Sequence, residues 1–202
     1  MVAHHGLKTA HDALEGGVVS LSMRLLLMRH IMMEIANIAD LASISGGLYR
    51  EHPDLSELHK PIRKSFDLFK YIRNVYVGHF VPDLTEKTFE WQPFTNALVG
   101  SDDHDKQLFA SWLALETAIN TFADPETGHK IFDSDTDLIY PPDRSRFLNY
   151  LGETAFGALA YVALLIRISR TKFETPDVHA DMLALAKIAG QTDFSVLTKG
   201  KR

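Results

Sequence analysis

The sequence predicts one all-α domain, a bundle of four principal helices with short extra helices. Two observations support this fold class: apolar residues recur with helical spacing along most of the chain, and no segment alternates as a strand would. The 202 residues are 46% hydrophobic and 23% charged, which is ordinary for a globular domain. We expect residues 1–202 to form this single domain, with a core over about residues 17–190 and a flexible polar tail over residues 191–202.

The first two principal helices are marked by apolar runs and by the glycines that end them. Residues 17–44 are apolar around most of a helical circumference, as is usual for the buried helix of a bundle, and Gly46 and Gly47 end this run. A second helix is expected over about residues 55–77, and Gly78 closes it.

The second half of the chain continues the helical pattern. Residues 85–91 fit either a short helix or an irregular segment. A cap at residues 101–103 precedes a third helix, whose apolar residues recur at steps of four and three: Leu108, Trp112, Leu115, Ile119 and Phe122. A polar connection follows over residues 124–143. A fourth long helix is then expected over residues 141–172, and a shorter one over residues 175–189.

Composition excludes several classes of protein. The chain has no Cys, which excludes disulfides, thiolate metal sites and a cysteine nucleophile. Its net charge of −5 argues against a globally basic nucleic-acid-binding protein but allows a local basic patch. Residues 1–10 do not resemble a secretory leader, and the longest apolar run, residues 155–166, falls short of the roughly 20 residues of a membrane span. We therefore expect a cytoplasmic protein without a membrane partner.

Candidate metal motifs are incomplete. The one Glu-x-x-His spacing, Glu126 to His129, falls in a polar loop rather than on a helix. An acidic run that begins at Asp133 imitates a calcium loop, but Leu138 and Arg144 stand where that loop needs Gly and Glu. We expect no metal and no cofactor.

The most informative segment is residues 60–80, KPIRKSFDLFKYIRNVYVGHF, which carries five basic residues against one acidic residue, a formal +4. On a helix, one side of this segment is an apolar stripe of Ile62, Phe66, Phe69 and Tyr76. The basic residues other than Arg73 form a group that we call the basic face: Lys60, Arg63, Lys64 and Lys70. A solvated charged surface is the simpler interpretation of the basic face, and a nucleic-acid-binding surface is the functional one.

Arg73 breaks this pattern because it lies four residues after Phe69 and three before Tyr76, within the apolar stripe. A buried guanidinium is unfavourable unless it is paired. One explanation is an internal ion pair, with Glu34 of the first principal helix as the natural partner. The other is that Arg73 faces a cleft or subunit interface and binds an anion there. Periodicity alone does not choose between them.

Three polar residues within seven positions have complementary chemistry. Arg73 offers a planar fork of donors for phosphate, and His79 suits proton transfer near neutral pH. Asn74 can hold an orientation by hydrogen bonding. The segment Arg73 to His79, RNVYVGH, resembles the Arg-x(4–6)-His motif of the HEPN superfamily, in which a polar residue, often Asn, follows the Arg.

The resemblance implies an all-α bundle that acts as a metal-independent endoribonuclease of the toxin–antitoxin or phage-defence kind. Arg73, Asn74 and His79 would take the catalytic positions, and RNA would be cleaved to 2′,3′-cyclic phosphate and 5′-hydroxyl ends. Two copies of the motif would meet across a homodimer, and an antitoxin could be a further partner. Two alternatives stay open: a non-catalytic HEPN-like module that binds RNA, a nucleotide or a partner protein, and an unrelated helical scaffold in which Arg73 is a core ion pair.

Overall fold

The computed structural model describes residues 2–16, 20–78, 81–172 and 182–191. These residues are predominantly helical and contain no strand, which confirms the all-α prediction. The α-helices in chain order are α1 (Val2–Glu15), α2 (Leu21–Ile44), α3 (Pro53–His59), α4 (Arg63–Ile72), α5 (Pro82–Trp91), α6 (Thr95–Val99), α7 (His104–Thr121), α8 (Pro141–Lys172) and α9 (Met182–Gly190).

The four principal helices lie where the sequence placed them, with differences in detail. The second one is composite: 3-10 residues Lys60–Ile62 join α3 to α4, and a π-helical turn, Arg73–Val77, follows α4. The segment left ambiguous, residues 85–91, belongs to helix α5, whereas α1 and α6 were not anticipated. The expected start of the last helix, residues 175–181, and nearly all of the expected flexible tail lie outside the described residues.

The chain divides into two units, Met1–Ile166 and Arg167–Arg202. In the first unit, α2 packs against α1 and against α4, which explains why it is apolar around most of its circumference. Helix α7 contacts α4, α5 and α6. In the second unit, Met182 and Ile188 of α9 are exposed.

Helix α8 is the one helix within the described residues that is long and apolar enough to cross a membrane by length and composition. Within the most apolar 18-residue stretch of α8, 50% is buried inside the protein. Core helices of soluble proteins reach the same length and hydropathy.

Helix α8 approaches the Lys60–Ile62 turn closely at Gly157. A Cβ atom on residue 157 would lie 2.5 Å from Cγ2 of Ile62, a separation that non-bonded carbon atoms do not adopt. Gly152, one and a half turns earlier in α8, has nothing within 4 Å of the same hypothetical atom. The contact therefore requires glycine at position 157 but not at position 152.

We expect Gly157→Ala to lower the free energy of unfolding by about 1–3 kcal/mol, because the new methyl group overpacks against Ile62. Gly152→Ala is the matched control in the same helix and should raise stability by up to about 1 kcal/mol through helix propensity. Chemical denaturation of the two variants measures both effects. Equal stability of the two variants would contradict the close approach.

A chain of hydrogen bonds joins two tyrosines and a histidine in the first unit. The Tyr49 hydroxyl lies 3.1 Å from Nδ1 of His59 and 3.2 Å from the hydroxyl of Tyr161, which is fully buried. The His59 ring also packs against the rings of Phe66 and Tyr161. Burial lowers the pKa of His59, and the nearby Arg63 charge lowers it further. The folded protein therefore favours neutral His59.

We expect acidification to destabilise the wild type more than His59→Gln. The pKa of His59 is lower in the folded chain than its unfolded value of about 6.5, so the unfolded state binds more protons as the pH falls. Between pH 7 and pH 5, the melting temperature of the wild type should therefore fall further than that of the variant. An equal fall in the melting temperature of the two proteins would show that His59 does not contribute to the pH dependence of stability.

Candidate functional site

The motif segment forms the π-helical turn. The amide of Gly78 donates to the carbonyl oxygen of Arg73 at 2.7 Å, which closes the i→i+5 ring of a π-helix. π-Helical turns are rare in proteins, and those that occur lie frequently at functional sites. A Cβ atom on residue 78 would lie 3.1 Å from the Arg73 carbonyl oxygen, so glycine suits this tight contact. The turn distinguishes residues 73–77 from the regular helix that the sequence predicted.

Two side chains hold the Arg73 guanidinium. Nη1 donates to Oδ2 of Asp40 at 2.5 Å, and Nε and Nη2 donate to Oδ1 of Asn74 at 3.2 and 3.1 Å. The Arg73 side chain nevertheless keeps 23% of its exposure. Arg73 is therefore ion-paired and also partly exposed to solvent.

The ion pair of Arg73 forms with Asp40 and not with Glu34, the partner named from the sequence. Six residues separate the two acids on α2, which turns their side chains apart by roughly 120°. Glu34 is buried, and its Oε1 lies 4.0 Å from Nε2 of His30. A Cβ atom on Gly6 of α1 would lie 3.6 Å from the same oxygen, so Glu34 faces α1 rather than the π-helical turn.

Asp40 is shared between two cations. Nζ of Lys70 lies 2.9 Å from Oδ1 of Asp40, while Arg73 holds Oδ2. Partial burial acts to raise the pKa of Asp40, but the hydrogen bonds and charges of Arg73 and Lys70 outweigh it and hold the pKa below its ordinary value. Asp40 is therefore ionised at neutral pH, and the three groups together carry a net charge of +1.

A second guanidinium, which the sequence analysis did not single out, lies at the other end of the π-helical turn. Nη2 of Arg29 donates to the carbonyl oxygen of Val77 at 3.4 Å, and its guanidinium carbon lies 5.2 Å from the centre of the Tyr76 ring. Asp40 and Arg29 are eleven residues apart on α2, close to three full turns, so they share one helix face. In the sequence, the eleven-residue spacing between Arg29 and Asp40 on one helix was the signal that could have identified Arg29.

Three of the four basic-face residues are ion-paired with carboxylates that are distant in sequence. The pairs are Arg63–Glu126, Lys64–Asp124 and Lys70–Asp40. Lys60 makes no ion pair within the part of the chain that the structure describes. The formal +4 of this segment is therefore largely balanced by acidic residues that the fold brings to it.

The apolar stripe lies inside the first unit. Its members are all buried, with at most 8% exposure: Ile62, Phe66, Phe69 and Tyr76. Phe66 packs edge-on against Tyr161 of α8, and the Tyr76 hydroxyl forms a hydrogen bond of 2.8 Å with the Ser111 hydroxyl of α7. The stripe is therefore part of this chain's own core and offers no surface to a second subunit.

The remaining candidate, His79, lies outside the described residues. Asn74 is exposed and contacts Arg73 as described above. The structure thus brings Arg73 and Lys70 together at Asp40, with Asn74 on Arg73, whereas Arg63 and Lys64 pair with acids elsewhere.

The described residues include no group of three His, Asp or Glu side chains that could hold a metal ion.

Comparison with known proteins gives no match: the chain matches no protein-family model, no curated protein and no solved structure. The arguments that follow therefore rest on the residues and on their geometry.

We expect Arg73→Ala and Asp40→Ala to be coupled in a double-mutant cycle. Asp40 is about half exposed, so solvent screening limits the coupling free energy to about 0.5–1 kcal/mol. Chemical denaturation of the wild type, both single variants and the double variant measures it. Arg73→Ala with Glu34→Ala is the matched control and should be additive within about 0.5 kcal/mol. Coupling to Glu34 instead of Asp40 would contradict the pairing described here.

Proposed function

We propose that the protein is a HEPN-like, metal-independent endoribonuclease. It cleaves single-stranded RNA to 2′,3′-cyclic phosphate and 5′-hydroxyl ends, and it acts in the cytoplasm in a toxin–antitoxin or phage-defence role. The proposal rests on the resemblance of residues 73–79 to the family motif, together with the arrangement of the π-helical turn.

The observation that carries the proposal is the fixed orientation of Arg73. A guanidinium has five N–H donors, and three hydrogen bonds to Asn74 and Asp40 occupy three of them. The other two donors have no acceptor among the described residues, and the side chain is 23% exposed. A donor that is already oriented needs no reorganisation when negative charge develops on a phosphoryl oxygen, which is the condition for electrostatic catalysis.

Local charge also favours an anionic substrate. Arg29, Lys70 and Arg73 border the π-helical turn, and Asp40 is the carboxylate paired with two of them. These four groups sum to +2 within a protein whose net charge is −5. A local positive field of this kind attracts phosphate and weakens as salt concentration rises.

The proposed reaction is an internal transesterification. The ribose 2′-oxygen attacks its own 3′-phosphorus, and the bond from phosphorus to the 5′-oxygen of the next nucleotide breaks. The proton lost from the 2′-hydroxyl and the proton gained by the leaving 5′-oxygen balance each other. His79 assists these proton transfers, and Arg73 stabilises the negative charge that develops on the phosphoryl oxygens.

The proposed partners are RNA, a second copy of the chain and an antitoxin. Because the apolar stripe is buried, the homodimer needs another surface. Met23 and Leu26 of α2 are 44% and 60% exposed, and they lie within two turns of Arg29. Their spacing of three places both on one helix face, so this face supports a dimer contact beside the π-helical turn.

A second candidate function is a non-catalytic HEPN-like module that binds RNA or a partner protein. The Asp40 carboxylate favours it over the enzyme, because an acid within hydrogen-bonding distance of Arg73 and Lys70 opposes the close contact between phosphate and the Arg73 guanidinium that cleavage requires. Such a module would bind RNA without cleaving it.

The test is incubation of the purified protein with cellular RNA and a chelator, followed by mapping of the RNA ends. We expect cyclic phosphate and 5′-hydroxyl ends, with the rate lowered about 10²–10³-fold by Arg73→Ala and about 10²–10⁴-fold by His79→Ala. Arg50→Ala and His52→Ala, which change the same residue types outside the motif, should leave the rate unchanged.

Two results would contradict the proposal that the protein is an endoribonuclease. Binding of RNA without cleavage would favour the non-catalytic module. Cleavage that survives both Arg73→Ala and His79→Ala in folded protein would show that the activity does not depend on this motif.

A further inference from the structure

A cavity of about 310 Å³ lies between α5, α6 and α7. Its polar lining residues are Thr85, Thr88, Thr95, Gln107 and Ser111, and Phe89 contributes an aromatic ring. The remaining lining is aliphatic. Ligand sites of drug-sized molecules span about 300–1,000 Å³, so this cavity suits a small ligand, the size of one ring system.

The lining is uncharged throughout. Hydroxyl, amide, aliphatic and aromatic groups surround the cavity, and no acidic or basic side chain is among them. A phosphate or carboxylate would lose its hydration there without gaining a counter-charge. The cavity therefore suits an uncharged group that combines apolar faces with a polar edge.

Two lining groups have hydrogen-bonding capacity that the described residues do not use. Thr95 is 2% exposed, and its hydroxyl oxygen has no hydrogen-bond partner among them. The amide nitrogen of Gln107 donates to the Ser101 carbonyl oxygen, and no described residue donates to its side-chain oxygen. By contrast, the Thr88 hydroxyl donates to the Leu84 carbonyl oxygen at 2.7 Å. A buried hydroxyl without a partner is unfavourable, and a ligand that bonds to it removes that penalty.

The cavity is linked directly to the motif. Ser111, one of its lining residues, forms the 2.8 Å hydrogen bond with the hydroxyl of Tyr76. Tyr76 lies in the π-helical turn, three residues after Arg73. The cavity therefore borders the same turn that presents the guanidinium.

We propose that this cavity binds a nucleobase of the RNA that contacts the π-helical turn. The proposal rests on the proposed function and adds a base-recognition site to it. Single-stranded RNA is read by stacking on aromatic rings and by hydrogen bonds to base edges. Phe89 supplies the ring, and the Thr95 hydroxyl and the Gln107 oxygen supply a donor and two acceptors. The uncharged lining contacts the base, and Arg73 binds phosphate.

The first experiment titrates adenosine, guanosine, cytidine and uridine separately into the protein in a calorimeter. Nucleosides carry no phosphodiester, so their binding is independent of cleavage. We expect the cavity to prefer one or two of the four, and Thr95→Val to weaken their binding about tenfold by removing one hydrogen bond. The hydroxyl of Thr95 has no hydrogen-bond partner to lose among the described residues, so this variant should fold. Thr9→Val, an exposed threonine of α1, is the matched control and should bind as the wild type does.

The second experiment maps the base preference at RNA cleavage sites for the wild type, Thr95→Val and Phe89→Leu. We expect both variants to lose base preference while they still produce cyclic phosphate ends. Absence of nucleoside binding together with an unchanged base preference would overturn the inference even if RNA is cleaved. Nucleoside binding that depends on Thr95, without any RNA cleavage, would uphold the base site and contradict the proposed enzyme.

Discussion

The contact between Asp40 and Arg73 is the constraint on which the candidate site depends. A guanidinium that is mostly buried at the edge of an apolar core requires a partner, and Asp40 of α2 supplies it at 2.5 Å. The pair joins α2 to the π-helical turn, and these two elements also pack against each other. Arg29, eleven residues earlier on α2, consequently reaches the carbonyl of Val77 at the opposite end of the turn. The antiparallel pairing of these elements thus brings the cationic groups together.

The π-helical turn connects this electrostatic arrangement to the core. Arg73, at the start of the turn, lies beside Asp40. The aromatic ring of Tyr76 contacts the Arg29 guanidinium, and its hydroxyl forms a hydrogen bond with the Ser111 hydroxyl. Burial raises the pKa of Tyr76, so its hydroxyl stays protonated and able to hydrogen-bond at physiological pH. Gly78 permits the close carbonyl contact that ends the turn. One side of the turn therefore presents charge to solvent, and the other side borders the uncharged cavity.

Sequence periodicity predicted the principal helices because burial imposes a 3.6-residue pattern, and α4, with Phe66, Phe69 and Ile72 buried, shows it most clearly. It also identified Arg73 as an exception, since a cation within an apolar stripe breaks that pattern. Helix α1 was not anticipated, because only Leu7 and Ala10 are buried among its described side chains, too few to mark a helical face. The ion partners could not be predicted either. Asp40, Asp124 and Glu126 are distant in sequence from the segment they neutralise, and a local charge count does not include them.

The most direct test of the account is whether Arg73 touches RNA phosphate. Nitrogen-15 NMR resolves arginine Nε signals, and the Arg73 signal is assigned by its loss in Arg73→Lys. The titrant is a single-stranded 2′-O-methyl RNA, which carries phosphates but lacks the attacking hydroxyl. The account predicts that the Arg73 Nε signal shifts progressively as RNA is added and returns when salt is raised. An Arg73 signal that stays unchanged while backbone amides elsewhere in the protein shift with RNA would contradict it.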